Sequence, residues 1–266
     1  MNPANLDKLG PNDVIMASYP GSGAAWLGCI FVKLGFYYLD GYHEILFDQH
    51  SQKSHVNPRL KPHRNRLPVY RDRDKLHPIF REKLRIIKTH MLADHVGNRH
   101  HGKTLLLVRD GRDSILSYYN WLKNFAGLER GLEEFLQYGT VNEPIPPAKA
   151  WAYFYENWLA ATNPQQNHVV RFEDLREDPL MQIKKILCFF AAERSDYDIN
   201  EAIKSCSFKA MKQSEVDEVS KNANTPGKGL IMRRGEIGEW KRVITPPLLS
   251  RVEMDAGLTL ARFKYK

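Results

Sequence analysis

Residues 13–36 read DVIMASYPGSGAAWLGCIFVKLGF. Asp13–Ser18 is an apolar run of strand length, and Tyr19-Pro20-Gly21-Ser22-Gly23 is a cluster of turn formers. The apolar run Ala24–Phe36 is too long for one strand and reads as a helix. A strand that passes through a glycine-rich turn into a helix is the layout of a phosphate-binding loop. Glycines let backbone N–H groups approach an oxyanion, and the helix N-terminus directs its partial positive charge at the same anion. No Lys-Ser or Lys-Thr follows the glycines. Trp26 stands where a loop beginning at Gly21 needs its second glycine, so an ordinary Walker-type nucleoside triphosphatase is disfavoured.

Outward from this unit, strand-length apolar runs recur at 84–88, 103–108 and 167–172. Helical patterns cover 110–124, 129–138, 147–161, 178–191 and 246–263. Strands alternating with helices predict a three-layer α/β/α fold around a central parallel sheet, here as one domain over residues 1–266. The stretch 59–75 (RLKPHRNRLPVYRDRDK) carries seven Lys or Arg and two Pro, and is expected as a surface loop.

The 266 residues include 39 Lys and Arg against 31 Asp and Glu, a formal charge of +8 that suits a polyanionic partner such as a nucleotide. The basic residues are scattered, which disfavours a nucleic-acid surface. The three cysteines, Cys29, Cys188 and Cys206, form no CxxC pair, so neither a disulfide framework nor a structural zinc site is expected. His95, His100 and His101 read as solvated rather than as a metal site. No apolar leader opens the sequence and no run reaches the roughly 18 apolar residues of a membrane span, so a reducing, cytoplasmic setting is expected.

Several segments together resemble the cytosolic sulfotransferases. Tyr19-Pro20-Gly21-Ser22-Gly23-Ala24-Ala25-Trp26 is similar to the family's phosphosulfate loop YPKSGTTW, and Lys88-Thr89-His90 to its KTH segment. VRDGRDSILSYY supplies Arg109 and Ser117 at the family's 3′-phosphate positions. Phe172-Glu173-Asp174-Leu175 with Asp178-Pro179, then Cys206-Ser207-Phe208 with Met211, and Arg233-Arg234-Gly235 followed by Gly238-Glu239-Trp240, complete the match over residues 19–240. The resemblance implies a P-loop-like fold that binds 3′-phosphoadenosine 5′-phosphosulfate as donor and releases 3′-phosphoadenosine 5′-phosphate; no metal is expected, since the sequence shows no ligand cluster. It places Arg109, Ser117, Arg233, Arg234 and Gly235 on the 3′-phosphate, and Trp26, Phe172 and Phe208 around the adenine.

These assignments suit the residue types. Arg109 ends the run TLLLV, at a carboxyl strand edge where ligands of α/β sheets bind, and a guanidinium fork matches a phosphate. Ser117 lies two helical turns further on, roughly 12 Å along the axis. A histidine's unperturbed pKa lies near neutrality, so His90 is the natural general base, and the resemblance implies that role, with Lys88 on the sulfuryl oxygens. The acceptor is expected to be a small hydroxyl or amine compound, in an apolar pocket drawn from Tyr37, Tyr38, Tyr118, Tyr119, Trp121 and Phe125.

The loop departs from the family at Gly21, where a lysine is normal, and at Ala24 and Ala25, which replace two threonines. Backbone donors survive these changes, but the cation at the leaving oxygen does not. Three readings stay open: a substitute cation such as Lys88 or an arginine of 59–75, a nucleotide-binding pseudoenzyme, or a loop truncated by design. Lys241 and Thr245 of the family's dimer segment are present, but Pro246 and Pro247 follow, and the oligomeric state stays open.

Overall fold

The computed structural model describes residues 9–40, 44–45, 55–56, 84–96, 102–221 and 235–266. The basic stretch 59–75, His100, His101, Arg233 and Arg234 lie outside the described residues.

Strands β1 (Asp13–Ser18), β2 (Tyr37–Asp40), β5 (Arg85–Thr89), β6 (Lys103–Val108) and β7 (Asn167–Arg171) form one sheet in the order β2-β5-β1-β6-β7, with every pairing parallel. Glu44–Ile45 (β3) and His55–Val56 (β4) make a separate two-stranded antiparallel ladder. A parallel sheet must be covered on both faces, and the burial of the central strands shows it. Every residue of β1 is buried. Val14 and Met16 join one core with Ile86, Leu105 and Leu107, while Ile15 and Ala17 join a second with Ile87, Leu106 and Val108.

Helices α1 (Ala24–Lys33), α6 (Pro179–Phe190), α7 (Asp196–Ser205) and α8 (Phe208–Lys221) contribute Leu27, Ile183, Ile199 and Met211 to the first core. Helices α2 (Gly111–Phe125), α3 (Leu132–Tyr138), α4 (Pro147–Ala161) and α10 (Pro246–Arg262) contribute Ile115, Phe135, Trp151 and Leu260 to the second. The short helices α5 (Phe172–Glu177) and α9 (Trp240–Val243) complete the set. Since α1 leaves β1 toward one face and α2 leaves β6 toward the other, the carboxyl ends of these adjacent strands open a crevice, the usual ligand position in such sheets.

Two sequence expectations are corrected. The helix read over Ala24–Phe36 ends at Lys33, and Gly35, with φ +83°, turns the chain into the unforeseen edge strand β2. Periodicity cannot separate a buried helix from a buried strand across so short a turn. Cys29 and Cys206 form a disulfide that joins α1 to the end of α7 across 177 residues. Both are fully buried in the first core, a proximity that no local spacing announces. Cys188 is a free thiol.

Candidate functional site

β1 delivers the chain to Tyr19, whose N–H donates to the Tyr155 hydroxyl at 3.1 Å. That hydroxyl donates to Leu107 O at 2.8 Å and lies 3.2 Å from Ser22 Oγ, which is also 3.2 Å from Ser114 Oγ. The Ser22 side chain, expected at the ligand, is instead buried in a hydroxyl network that ties the loop to β6, α2 and α4. Burial pushes the Tyr155 phenol well up, so it stays protonated and keeps donating.

Gly21 has φ +85°, and a Cβ built on it would stand 2.4 Å from Ser114 O and 2.9 Å from Ser117 Cβ. Helix α2 therefore closes over the loop at the position where the family carries lysine, and brings Ser117 beside it. At Gly23, φ +94°, a Cβ would meet the Phe172 ring at 2.6 Å. Helix α1 then starts without a side-chain cap, with Trp26 and Leu27 donating back to Gly23 O. Its leading N–H groups, at Ala24 and Ala25, are those a helix N-terminus offers to an anion.

Arg109 follows β6 and is buried, 5% exposed. Its Nη1 donates to Gly21 O at 2.9 Å and its Nη2 to Glu236 O at 2.7 Å, with the guanidinium 4.8 Å from the Phe172 ring centroid. Its Nε is buried without a hydrogen-bond partner. Burial lowers its pKa, and Asp113, Glu173, Glu239 and Asp110 act in the opposite direction. Phe172 meets Trp26 edge-on at 5.8 Å, and the Arg176 guanidinium lies 5.7 Å from the Trp26 ring. Phe208 lies against Gly235, where a Cβ would approach its ring to 3.0 Å. A cleft of about 370 Å³ opens here, lined by Arg176, Arg242 and the segment Gly235–Glu239. The buried Asp113 carboxylate holds that segment by accepting from the N–H groups of Gly238 (2.6 Å) and Trp240 (3.0 Å).

His90 follows β5, with Nδ1 2.6 Å from Ser18 O. A carbonyl only accepts, so Nδ1 carries a proton and the neutral ring has its basic lone pair on Nε2. The next residues are fixed by α4: Trp158 Nε1 donates to Met91 O at 2.9 Å, and Asn157 Oδ1 accepts from Ala93 N–H at 2.8 Å. Lys88, one residue short of the strand end, lies with Ile86 on the α1 face and pairs with Asp40 at 2.9 Å, its register partner on β2.

The aromatic residues divide. Tyr38 is buried against Gly28 and donates to Ala24 O at 3.3 Å, so it belongs to the core rather than to an acceptor wall. Tyr118 stacks on Trp121 at 6.3 Å and Trp121 contacts Phe125 at 6.1 Å, a row along α2 whose inner end meets Tyr19 at 5.9 Å. Sequence reading missed Asp40, Asp113, Tyr155 and Arg176. Only Asp113, acidic in the first turn of a helix, carried a local signal. No group of three or more metal-ligating side chains is found among the described residues.

A glycine turn on an uncapped helix, with a buried arginine beside it at the carboxyl edge of a parallel sheet, is the arrangement of a P-loop-like α/β phosphate-binding site. Residues 11–264 match the family model of the sulfotransferase domain, and the chain belongs to that family. It is 24% identical to cytosolic sulfotransferase 5 of Arabidopsis thaliana, over 91% of this chain and 77% of that protein. It is also 24% identical to flavonol 3-sulfotransferase of Flaveria bidentis, over 92% and 81%. Among solved structures, mouse sulfotransferase SULT7A1 complexed with PAP superposes with TM-score 0.64 at 20% identity, covering 98% of this chain and 91% of that one. Retinol dehydratase in complex with retinol and PAP gives 0.64 at 18%, covering 95% and 82%. The family chemistry is transfer of a sulfuryl group from 3′-phosphoadenosine 5′-phosphosulfate.

Proposed function

We propose that the chain sulfates a hydroxyl or amine of a small acceptor, with the donor across the β1/β6 crevice and His90 as general base. The observation that carries this is His90 held by Ser18 O immediately before the loop, its basic nitrogen directed by the tautomer. The attacking acceptor atom bonds to sulfur, the bond from sulfur to the 5′-phosphate oxygen breaks, and the acceptor proton passes to His90 Nε2.

The cleft and the loop suit the donor. The N–H groups at the start of α1 have no side-chain cap, and Arg109 Nε is a buried donor without a partner; a phosphate would satisfy both. On this reading Gly21, Ser22, Gly23, Ala24 and Ala25 cradle the 5′ side through the backbone. Arg109, Ser117, Arg233, Arg234 and Gly235 serve the 3′-phosphate, and Trp26, Phe172 and Phe208 flank the base. Lys88, held by Asp40, is the cation assigned to the sulfuryl oxygens.

The names of the flavonol enzyme and of the retinol complex support a small acceptor, and the row Tyr118, Trp121, Phe125 supplies an apolar approach. We place the protein in the cytoplasm, as the names of its relatives suggest. No described helix is long and apolar enough to cross a membrane. The buried position of the disulfide is compatible with a reducing setting, because thiol exchange needs access to the sulfurs.

Transfer of a radiolabelled sulfuryl group to a panel of phenols and alcohols tests the proposal. His90→Ala is expected to lower kcat by about 10²–10⁴-fold. Retained turnover in that variant would remove His90 as the base. The uncharged loop at Gly21 favours a second reading, a nucleotide binder with little turnover, since loss of a preorganised charge costs about 10²–10³ in rate. Binding of 3′-phosphoadenosine 5′-phosphate without product from any acceptor would select it.

A further inference from the structure

The loop lacks a cationic side chain, and helix α2 leaves no room for one at Gly21. Among the described residues, the guanidinium that touches the loop is that of Arg109. It reaches the Gly21 carbonyl with Nη1 and, with Nη2, the carbonyl of Glu236 next to Gly235. It thus spans the gap between the two segments that the sulfotransferase reading assigns to opposite ends of the nucleotide.

Both of its hydrogen-bond partners are neutral carbonyls. Three of the four nearby carboxylates are engaged elsewhere: Asp113 with the backbone of Gly238 and Trp240, Asp110 with Arg112, and Glu173 with Tyr265 and the Asp110 N–H, and none of the four forms an ion pair with Arg109. The guanidinium therefore keeps its charge uncompensated by direct pairing, and its Nε has no partner. A phosphate oxygen carries charge and takes a guanidinium fork in bidentate fashion, which a neutral carbonyl cannot, so an anion entering from either side can displace a carbonyl. Lys88, whose ammonium pairs with Asp40, is the cation assigned above to the sulfuryl oxygens and makes no described contact with the loop.

We infer that Arg109 serves the 5′-phosphate as well as the 3′-phosphate, replacing the cation that the loop lacks. The inference rests on the donor site proposed above. Its physical basis is the direct bond between the guanidinium and the carbonyl of Gly21, which sits in the 5′ loop. A cation shared between both phosphates neutralises the leaving 5′-phosphate without any side chain from the loop.

Monophosphate probes test it. Adenosine 3′,5′-bisphosphate, adenosine 5′-phosphate and adenosine 3′-phosphate are titrated by calorimetry against the wild-type chain, Arg109→Gln and Arg109→Lys, with circular dichroism to verify folding. Gln keeps a donor for one carbonyl without charge. Lys keeps the charge but cannot span both carbonyls, and it preserves a test if the Gln variant does not fold. Each folded variant is expected to bind both monophosphates about 10- to 100-fold more weakly, the range of a hydrogen bond to a charged group. Weakening of the 3′-phosphate probe alone, or of neither, overturns the inference while leaving the donor site in place. Failure of the wild type to bind the bisphosphate instead overturns the donor site itself.

Discussion

Gly21 shows how one position sets the character of the loop. Its φ of +85° is open to glycine at little cost, and Ser114 O stands where a Cβ would go. Gly21→Ala is therefore expected to destabilise the fold by about 1–3 kcal/mol, read as a shift in urea midpoint. Gly21→Lys is expected to give no gain in turnover, because the side chain has no rotamer before the clash is relieved. A well-folded, faster Gly21→Lys enzyme would show that α2 yields there. Glu173 gives a second prediction. Its carboxylate accepts from Tyr265 and from the Asp110 N–H, yet burial raises its pKa above the usual 4.5. The folded state then binds the proton more tightly than the unfolded one, so this group's contribution to stability falls as pH rises from about 4.5 through its folded pKa. Glu173→Gln, which stays neutral, is expected to flatten that part of the stability profile in urea titrations between pH 4 and 8. An unchanged slope would assign the pH dependence to other groups. The identities at the loop, at Lys88-Thr89-His90 and at Arg109 were legible as a constellation. The turning of Ser22 into the core and the crowding at Gly21 were not, since both depend on residues about a hundred positions away.

At the level of elements, the sheet rests on a buried ion pair at the end away from the crevice. Arg85 of β5 donates to both carboxylate oxygens of Asp13 on β1, at 2.7 and 2.5 Å, and Gly10 N–H donates to the same carboxylate at 2.7 Å. Removing one partner strands the other charge in the interior, and Arg85→Met is expected to cost about 3–5 kcal/mol by urea denaturation. A loss below about 1 kcal/mol would mean that water reaches Asp13. The strands β1, β6 and β7 and the helices α2, α4, α6 and α10 were readable to within a residue or so, because each is a long run of one period bounded by turn residues. Strand β2 was not. It is four residues long and follows α1 after a three-residue turn, so its apolar residues continue the apolar helix without a break. Asp40, its last residue and the partner of Lys88, was hidden with it. Helices α7 and α8 were also unread, and with them Cys206, just past the end of α7, and Phe208, the first residue of α8, which reach back to α1 and Gly235.

Across the whole molecule, the disulfide is the strongest constraint that the sequence did not announce. It ties α1, which begins at the loop, to the segment carrying Phe208, and it closes a loop of 177 residues. Reduction, or Cys29→Ser, is expected to lower stability by about 2–5 kcal/mol. Thiol titration of the unreduced chain in denaturant is expected to find one free thiol, Cys188, whereas three would show that Cys29 and Cys206 are unbonded. On the proposed reading, the crevice between β1 and β6 holds the donor nucleotide. A crystal structure of the complex with 3′-phosphoadenosine 5′-phosphate tests it most directly. The 5′-phosphate is expected on the N–H groups of residues 23–25, the base beside Trp26 and Phe208, and Arg109 in contact with phosphate. A nucleotide bound elsewhere, with the Arg109 bonds to Gly21 and Glu236 intact, would contradict it.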